Sequence, residues 1–264
     1  MLYAYVMQSV LQRGIFRVRR LLNLPVPSFD KYLSCLTDKA GLEIGGPSST
    51  FRSPDALPIY DKIGSLDNCD FSSSTVWSEH APEFVFSPAK PPGRSFFCEG
   101  SHLSPIGDRS YDFVLSCHNL EHFANPVKAL LEWKRVLRPG GVLVVVLPYC
   151  HYTFDRYRTP TPVADMWLDY ENNVSEDDLT HLPEILEKHD LTRDPGAGSF
   201  EDFERRSRDN WNNRCLHHHV FDEHNGHDLL NSVGFDVIAA DVSGSIYLLA
   251  RLPGDSTSSA SREN

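Results

Sequence analysis

The stretch from Tyr111 to Leu147 constrains the fold most. It holds a short apolar run (YDFVLS), a segment with helical spacing (PVKALLEWKRVL), the stop signal RPGG and a second apolar run (VLVVVL). Val127, Leu130, Leu131, Lys134 and Leu137 fall on one side of the predicted helix, with charges opposite. Pro126 suits a first helical turn, and Arg138-Pro139-Gly140-Gly141 ends it. A run that is apolar at every position is expected of a strand buried on both faces. The block reads as strand, helix, strand, the unit from which parallel α/β sheets are built.

The rest of the chain divides around that block. Residues 41–148 alternate short apolar runs with helical patterns, whereas residues 149–226 are polar, rich in His, Asp, Glu, Arg and Asn, and carry no convincing strand. Order returns with a predicted helix at His227–Val233 and strands at Phe235–Val242 and Ser245–Leu252, joined tightly at Gly244. The expected organisation is an N-terminal helical segment (1–37), a core (38–148), an insertion (149–226), the last helix and two strands of the core (227–252) and a disordered, Ser-rich tail (253–264). Residues 1–29 contain no acid but carry Arg13, Arg17, Arg19 and Arg20. Such a stretch suits an organellar transit peptide or a helix packed on the domain behind it; having only Ser9 and Ser28, it favours the helix, ended by Pro25 and Pro27.

Composition excludes several classes of function. With 36 acidic against 25 basic residues the net charge is −11, and no basic stripe offsets it, so general affinity for a nucleic-acid backbone is not expected. The longest apolar run, Val142–Leu147, falls far short of the roughly 20 residues a membrane span needs. Six cysteines with no C-x-x-C pair point to reduced, structural thiols and a cytoplasmic location, an organelle being the alternative left by the N-terminus.

Gly41–Ser49 (GLEIGGPSS) reads as an apolar strand ending in an acid, then glycines, then a small-residue helix start. Glycine lets backbone approach a ligand, and a following helix offers unpaired N–H groups, so this is a nucleotide-cradling pattern; a tight turn with no ligand is the other reading. Asp67, in SLDNCDF, stands where a second strand would end, and a carboxylate there suits a ribose diol. Glu99, in FFCEGSHL, follows a third apolar run and suits an adenine amino group or the fixing of the neighbouring loop, a surface strand-end carboxylate being the other reading.

The segment SYDFVLSCHNLEHFANPVKALLEWKRVLRPGGVLVVVLP, Ser110–Pro148, resembles the signature block of class I S-adenosylmethionine-dependent methyltransferases. The nearest type is the small-molecule one, with an aspartate before the fourth strand, LEH after it and RVLRPGG before the fifth. The resemblance covers about residues 38–150 and 227–252. It implies a Rossmann-like α/β fold: a seven-stranded, mostly parallel sheet with an antiparallel last strand, binding S-adenosylmethionine at the strands' C-terminal edge. By position, Glu43 and Gly45 match the acid and first glycine of the cofactor loop, Asp67 the ribose acid, and Glu99 with Gly100 the adenine-side pair. Gly46 supplies a second glycine, and Ser116 at the end of the fourth strand completes the expected cofactor contacts. The usual acid-x-Gly-x-Gly-x-Gly loop is departed from at Pro47 and Ser49; Pro47 has no N–H to donate and is read as starting a helix. A nicotinamide-dependent oxidoreductase would want G-x-G-x-x-G, but the sixth position from Gly45 is Thr50.

Methyl transfer asks a protein chiefly for alignment and exclusion of water, with a base where the acceptor is a hydroxyl. The 149–226 insertion is long for an α/β connection and is expected to form a mostly helical cap that supplies the acceptor pocket. His118, just past the fourth strand, is the first candidate for a catalytic base or acceptor contact. His151, past the fifth, is the second, with Tyr149, Arg156 and Arg158 nearby to suit a carboxylate or phosphate. His122 of the LEH turn is read as structural. The run His217-His218-His219, with Cys215, His224 and His227, matches no closed zinc spacing, so no metal is expected; one of the three, with His218 as candidate, should line the acceptor pocket. The expected function is S-adenosylmethionine-dependent methyl transfer to an oxygen, or a nitrogen, of a small or medium acceptor. A non-catalytic cofactor-binding module is the contrasting reading.

Overall fold

The computed structural model describes residues 26, 29–77, 79 and 81–255. The expectations for residues 1–25 and for the tail 256–264 lie outside the described residues. One eight-stranded sheet organises the chain: β1 Ala40–Ile44, β2 Ser65–Asp70, β3 Glu83–Phe84, β4 Gly93–Phe97, β5 Tyr111–Cys117, β6 Leu137–Pro148, β7 Asp236–Val242 and β8 Ser245–Arg251. Their spatial order is β3-β4-β2-β1-β5-β6-β8-β7. β4, β2, β1, β5 and β6 run parallel, while β8 inserts antiparallel between β6 and β7. All seven expected strands are present. The eighth, the two-residue β3, was not anticipated; it pairs antiparallel with β4 and covers that edge.

The centre of the sheet is buried on both sides, which is why β6 is apolar at every position from Val142 to Leu147. Val142, Val144 and Val146 pack on one face with Phe51, Leu57, Ile59, Tyr60 and Phe113. Leu143, Val145 and Leu147 pack on the other with Leu130, Trp133, Leu229 and Leu230. The described part of the N-terminal segment, α1 (Asp30–Leu33) and the 3-10 turn Ser34–Leu36, buries Phe29, Leu33 and Leu36 against the first of these faces.

α2, Pro126–Val136, fills the place expected for it. Pro126 opens it, and the Asn125 side chain accepts from the Lys128 N–H. Its buried face differs from the expected one: Val127, Ala129, Leu130, Trp133 and Val136 are enclosed, while Leu131 and Lys134 are only half-buried. Trp133 is the reason, because its large ring turns to the sheet and its Nε1–H donates to the Gly100 carbonyl at 2.9 Å.

Three other expectations need correction. No α-helix follows β1. Ser49–Phe51 is a single 3-10 turn, because Pro54 and Pro58 interrupt the next stretch and Phe51, Leu57 and Ile59 turn into the core. α7 spans Glu223–Ser232, starting earlier than expected because Asp222 and Asn225 form a reciprocal capping box. The segment 149–222 has helix as its only regular structure, in short pieces: α3 Val163–Glu171, α4 Leu182–Lys188, α5 Phe200–Arg208 and α6 Asn210–Asn213, with turns and coil between them. Leu182, Ile185, Ala197, Phe203 and Leu216 give it a small core of its own. Among the described residues no helix is long and apolar enough to cross a membrane.

Candidate active site

The sheet order reverses between β1 and β5, whose onward connections leave toward opposite edges, and such a switch point opens a crevice at the strands' C-terminal ends. A cleft of about 630 Å³ occupies this crevice. One half is lined by Gly45, Asp70, Phe71, Glu99 and Gly100 from the ends of β1, β2 and β4. The other is lined by His118, Glu121 and His122 after β5, and by Thr153, Phe154 and His217 from the long segment after β6.

The β1 loop is organised from within. Glu43 is fully buried and does not line the cleft: its Oε1 accepts from the Ser48 N–H and hydroxyl at 3.0 and 2.7 Å, and its Oε2 from the Tyr60 hydroxyl at 2.7 Å. Burial, opposed by these hydrogen bonds, raises its pKa to about 7. Glu43 therefore bends the loop back on itself, leaving Gly45 to face the cleft. Gly45 is left-handed (φ +73°), and a Cβ there would lie 2.3 Å from Asn119 Nδ2. Gly46 is turned away, donating its N–H to Asn68 Oδ1 at 2.9 Å.

Asp67 is not at the cleft. It sits inside β2, accepting from the Arg94 N–H and the Tyr111 hydroxyl, both at 2.8 Å. Tyr111 opens β5, so this cluster points away from the strands' C-terminal ends. Asp70, three residues on and last in β2, takes the strand-end place. Glu99 and Gly100 both line the cleft, and Glu99 pairs with Arg214 Nη2 at 2.6 Å. Ser116 is fully buried opposite Ile44 and does not reach the cleft.

Among the predicted acceptor-side residues, His118 faces the cleft, in a left-handed conformation (φ +48°), with Nε2 2.8 Å from Ser245 Oγ. Although its side chain is exposed to the cleft, the protein packed around it, and then His217, lower its pKa. His151 is corrected: it lies on the exposed surface, edge-on to Tyr149, because the 3-10 turn Cys150–Tyr152 carries it outward and brings Thr153 and Phe154 inward. Arg156 pairs with Asp190, and Arg158 is buried on Asp155 and the carbonyls of His217 and His218, so neither is presented to an acceptor. His218 is also corrected. It is buried against Asn210, whereas its neighbour His217 lines the cleft. Burial opposes a charge on His217, but the Asp155 and Glu121 carboxylates outweigh it and raise its pKa.

Residues 69–145 match the family described as "Methyltransferase domain". Over that stretch, less than a third of the chain, the sequence matches a methyltransferase domain. A demethylmenaquinone methyltransferase of Renibacterium salmoninarum is 38% identical over 68 residues, 26% of this chain and 28% of that one. The chain spans less than a third of the length of the curated relatives it matches. Among solved structures, a Burkholderia thailandensis 1,6-didemethyltoxoflavin-N1-methyltransferase aligns over 95% of this chain and 89% of its own at 15% identity (TM-score 0.45). A methyltransferase from Methanosarcina mazei aligns over 83% and 94% at 16% identity (TM-score 0.46).

At this cleft, sequence reasoning overlooked Asp70, Phe71, Glu121 and Arg214, and picked His218 rather than His217 from the histidine run. Asp70 was visible as the second acid of SLDNCD, and Glu121 as the acid of LEH. Nothing in the sequence told His217 from His218, because tertiary packing decides which ring turns inward.

Proposed function

We propose that the cleft binds S-adenosylmethionine along the ends of β1, β2 and β4 and passes its methyl group to an oxygen, or a nitrogen, of a small or medium acceptor held beneath the 149–222 segment. The observation that carries this reading is the division of one cleft into two chemically distinct halves. On the first side, in this reading, Gly45 leaves room for a ligand, Asp70 takes the ribose diol, and Glu99 with Gly100 take the adenine; all four line the cleft. On the second, His118, Glu121 and His217 present polar groups beside the aromatic Phe154 and Trp77.

The sulfonium needs little activation, so the work left to these residues is to align an acceptor lone pair with the methyl carbon. His118 is neutral at pH 7 and suits a hydrogen-bond acceptor for a hydroxyl. The short helices over the cleft act in this reading as the acceptor cap, and their own small core holds them as a unit. A net charge of −11 argues for a small-molecule acceptor over a nucleic acid, and the free thiols for a reducing, cytoplasmic compartment.

Calorimetric titration of the full chain with S-adenosylhomocysteine tests the reading. Dissociation constants on the order of micromolar support it, and acceptors are then screened by release of that product. A folded protein that binds neither S-adenosylmethionine nor S-adenosylhomocysteine overturns it.

A further inference from the structure

Three side chains in the acceptor half of the cleft converge on a point that none of them fills. Glu121 Oε1 stands 3.9 Å from His122 Nε2 and 4.0 Å from His217 Nε2. One ligand atom from each lies within 4.8 Å of the others. At these separations neither contact is a hydrogen bond. Glu121 is nonetheless almost wholly buried, and among the described residues its Oε2 has no hydrogen-bond partner. Leaving one oxygen of a buried carboxylate without a partner is costly unless something else binds it.

The other ring nitrogens are anchored. His122 Nδ1 lies 3.1 Å from the Leu216 carbonyl oxygen, and His217 Nδ1 lies 2.5 Å from Asp155 Oδ2. A carbonyl only accepts, so the His122 proton sits on Nδ1 and the Nε2 lone pair turns inward. Asp155 holds His217 in the same sense. Metal-ligating histidines are held in this way, one nitrogen to a carbonyl or carboxylate and the other toward the ion.

We propose that Glu121, His122 and His217 bind one divalent first-row transition-metal ion of the Zn²⁺ class, with an open coordination position facing the cleft. Two imidazoles and a carboxylate with a vacant fourth position are the donor set of catalytic zinc centres, whereas Mg²⁺ and Ca²⁺ prefer oxygen donors alone. Around bonds of about 2.0–2.1 Å, tetrahedral ligand atoms sit about 3.3 Å apart, so Glu121 and each histidine need to close by about 0.6–0.7 Å and the two imidazole nitrogens by at most about 1.5 Å. The histidine run alone matches no zinc spacing because its members part company. His217 joins the LEH turn, His218 faces Asn210, and His219 lies against Asp169 and His181. The ligands come from two segments far apart in sequence.

This inference rests on the methyl-transfer reading for its chemistry, and it narrows the acceptor to one with a coordinating oxygen: an alcohol, a phenol or a carboxylate. A hydroxyl bound to the ion becomes far more acidic, as zinc-bound water does. The hydroxyl proton leaves through the hydrogen bond to His118 into cleft water, and the oxygen lone pair attacks the methyl carbon. The carbon–sulfur bond breaks with its electron pair passing to sulfur, which leaves the neutral thioether.

The test uses the full chain, stripped with chelator and titrated with Co²⁺, whose ligand-field absorption reports histidine and carboxylate ligation. One equivalent should bind, with visible bands that Zn²⁺ displaces. Glu121→Gln and His122→Gln should each abolish the bands, Asp155→Asn should weaken binding about 10–100-fold, and His181→Gln should change nothing. Circular dichroism checks folding; if Glu121→Gln does not fold, the half-buried His122 position keeps the test decisive. Absence of bands in the parent chain, their survival in His122→Gln, or their loss in His181→Gln each overturns the site. S-adenosylhomocysteine titration of the same samples separates the two readings: product binding without Co²⁺ binding overturns the metal site alone, and Co²⁺ binding without product binding overturns methyl transfer alone.

Discussion

Arg214 Nη2 lies 2.6 Å from Glu99 Oε1, while its guanidinium sits over the rings of Phe71 and Trp211 at 5.0 and 4.9 Å. Through this contact the long segment after β6 reaches across the cleft and grips the end of β4. The pair is partly shielded, with Arg214 nearly buried and Glu99 half-exposed, so its loss should cost less than that of a fully buried pair. Arg214→Ala should destabilise the chain by about 1–2 kcal/mol, a fall in Tm of roughly 3–6 °C, once the stacking on two rings is included. Thermal melts of the variant check this, and an unchanged Tm would show that the contact holds nothing together.

Two aspartates in one strand separate binding from stability. Asp70 ends β2 at the cleft; Asp67 is tied up with Tyr111 and the Arg94 N–H. Asp70→Ala should weaken S-adenosylhomocysteine binding about 10–100-fold, the loss expected when a carboxylate bridging a diol is removed. Asp67→Ala should leave that affinity within about threefold and lower Tm instead, since it strands the Tyr111 hydroxyl. Equal losses of affinity in both variants would contradict the placement of Asp70 as the ribose ligand.

What was legible in the sequence follows from how local each signal is. The β5–α2–β6 unit was readable because periodicity, an N1 proline and a Pro-Gly-Gly stop all act within a few residues. Asp67 was chosen over Asp70 because both lie in one six-residue strand and nothing local marks where it ends. The helix after β1 was expected because Pro47 and the small residues after it suit a helix start, and the break that Pro54 and Pro58 impose on the next stretch was not weighed. The orientation of His151, His217 and His218 depends on packing against distant segments, and no local spacing encodes it. Glu121 was in plain view within LEH, but its burial and its open Oε2 exist only in three dimensions.

Gly45 is the tightest-packed glycine facing the proposed cofactor side of the cleft, with no room for a side chain. Its φ of +73° is unfavourable for any residue with a Cβ, and that Cβ would collide with Asn119 Nδ2 at 2.3 Å. Asn119 lines the same cleft, so the collision would be relieved by its amide swinging into the space along the loop. Gly45→Ala should therefore reduce S-adenosylhomocysteine binding by at least about tenfold, with a stability loss of about 1–2 kcal/mol from the strained backbone. Full affinity in a stably folded Gly45→Ala protein would mean that the ligand does not approach this loop.

Glu43 ties the same loop to pH. Burial, opposed by Tyr60 and Ser48, raises its folded pKa to about 7, against roughly 4.5 for an exposed glutamate. Between those values the folded state holds a proton that the unfolded state has released. Stability is therefore highest below about pH 4.5 as far as this group is concerned, falls as pH rises toward 7, and is level above it. Glu121 and Glu176, also raised to about 7, add slopes of the same sign, so the parent chain alone cannot isolate Glu43. Glu43→Gln isolates it, because an amide can still accept from Ser48 yet never titrates. The stability difference between the variant and the parent should shift in the variant's favour by up to about 3 kcal/mol from pH 4.5 to pH 7 and stay constant beyond. Urea denaturation at half-unit pH steps measures that difference. A pH-independent gap between the two proteins would mean that Glu43 is ionised in the folded state throughout, held so by the hydrogen bonds from Ser48 and Tyr60.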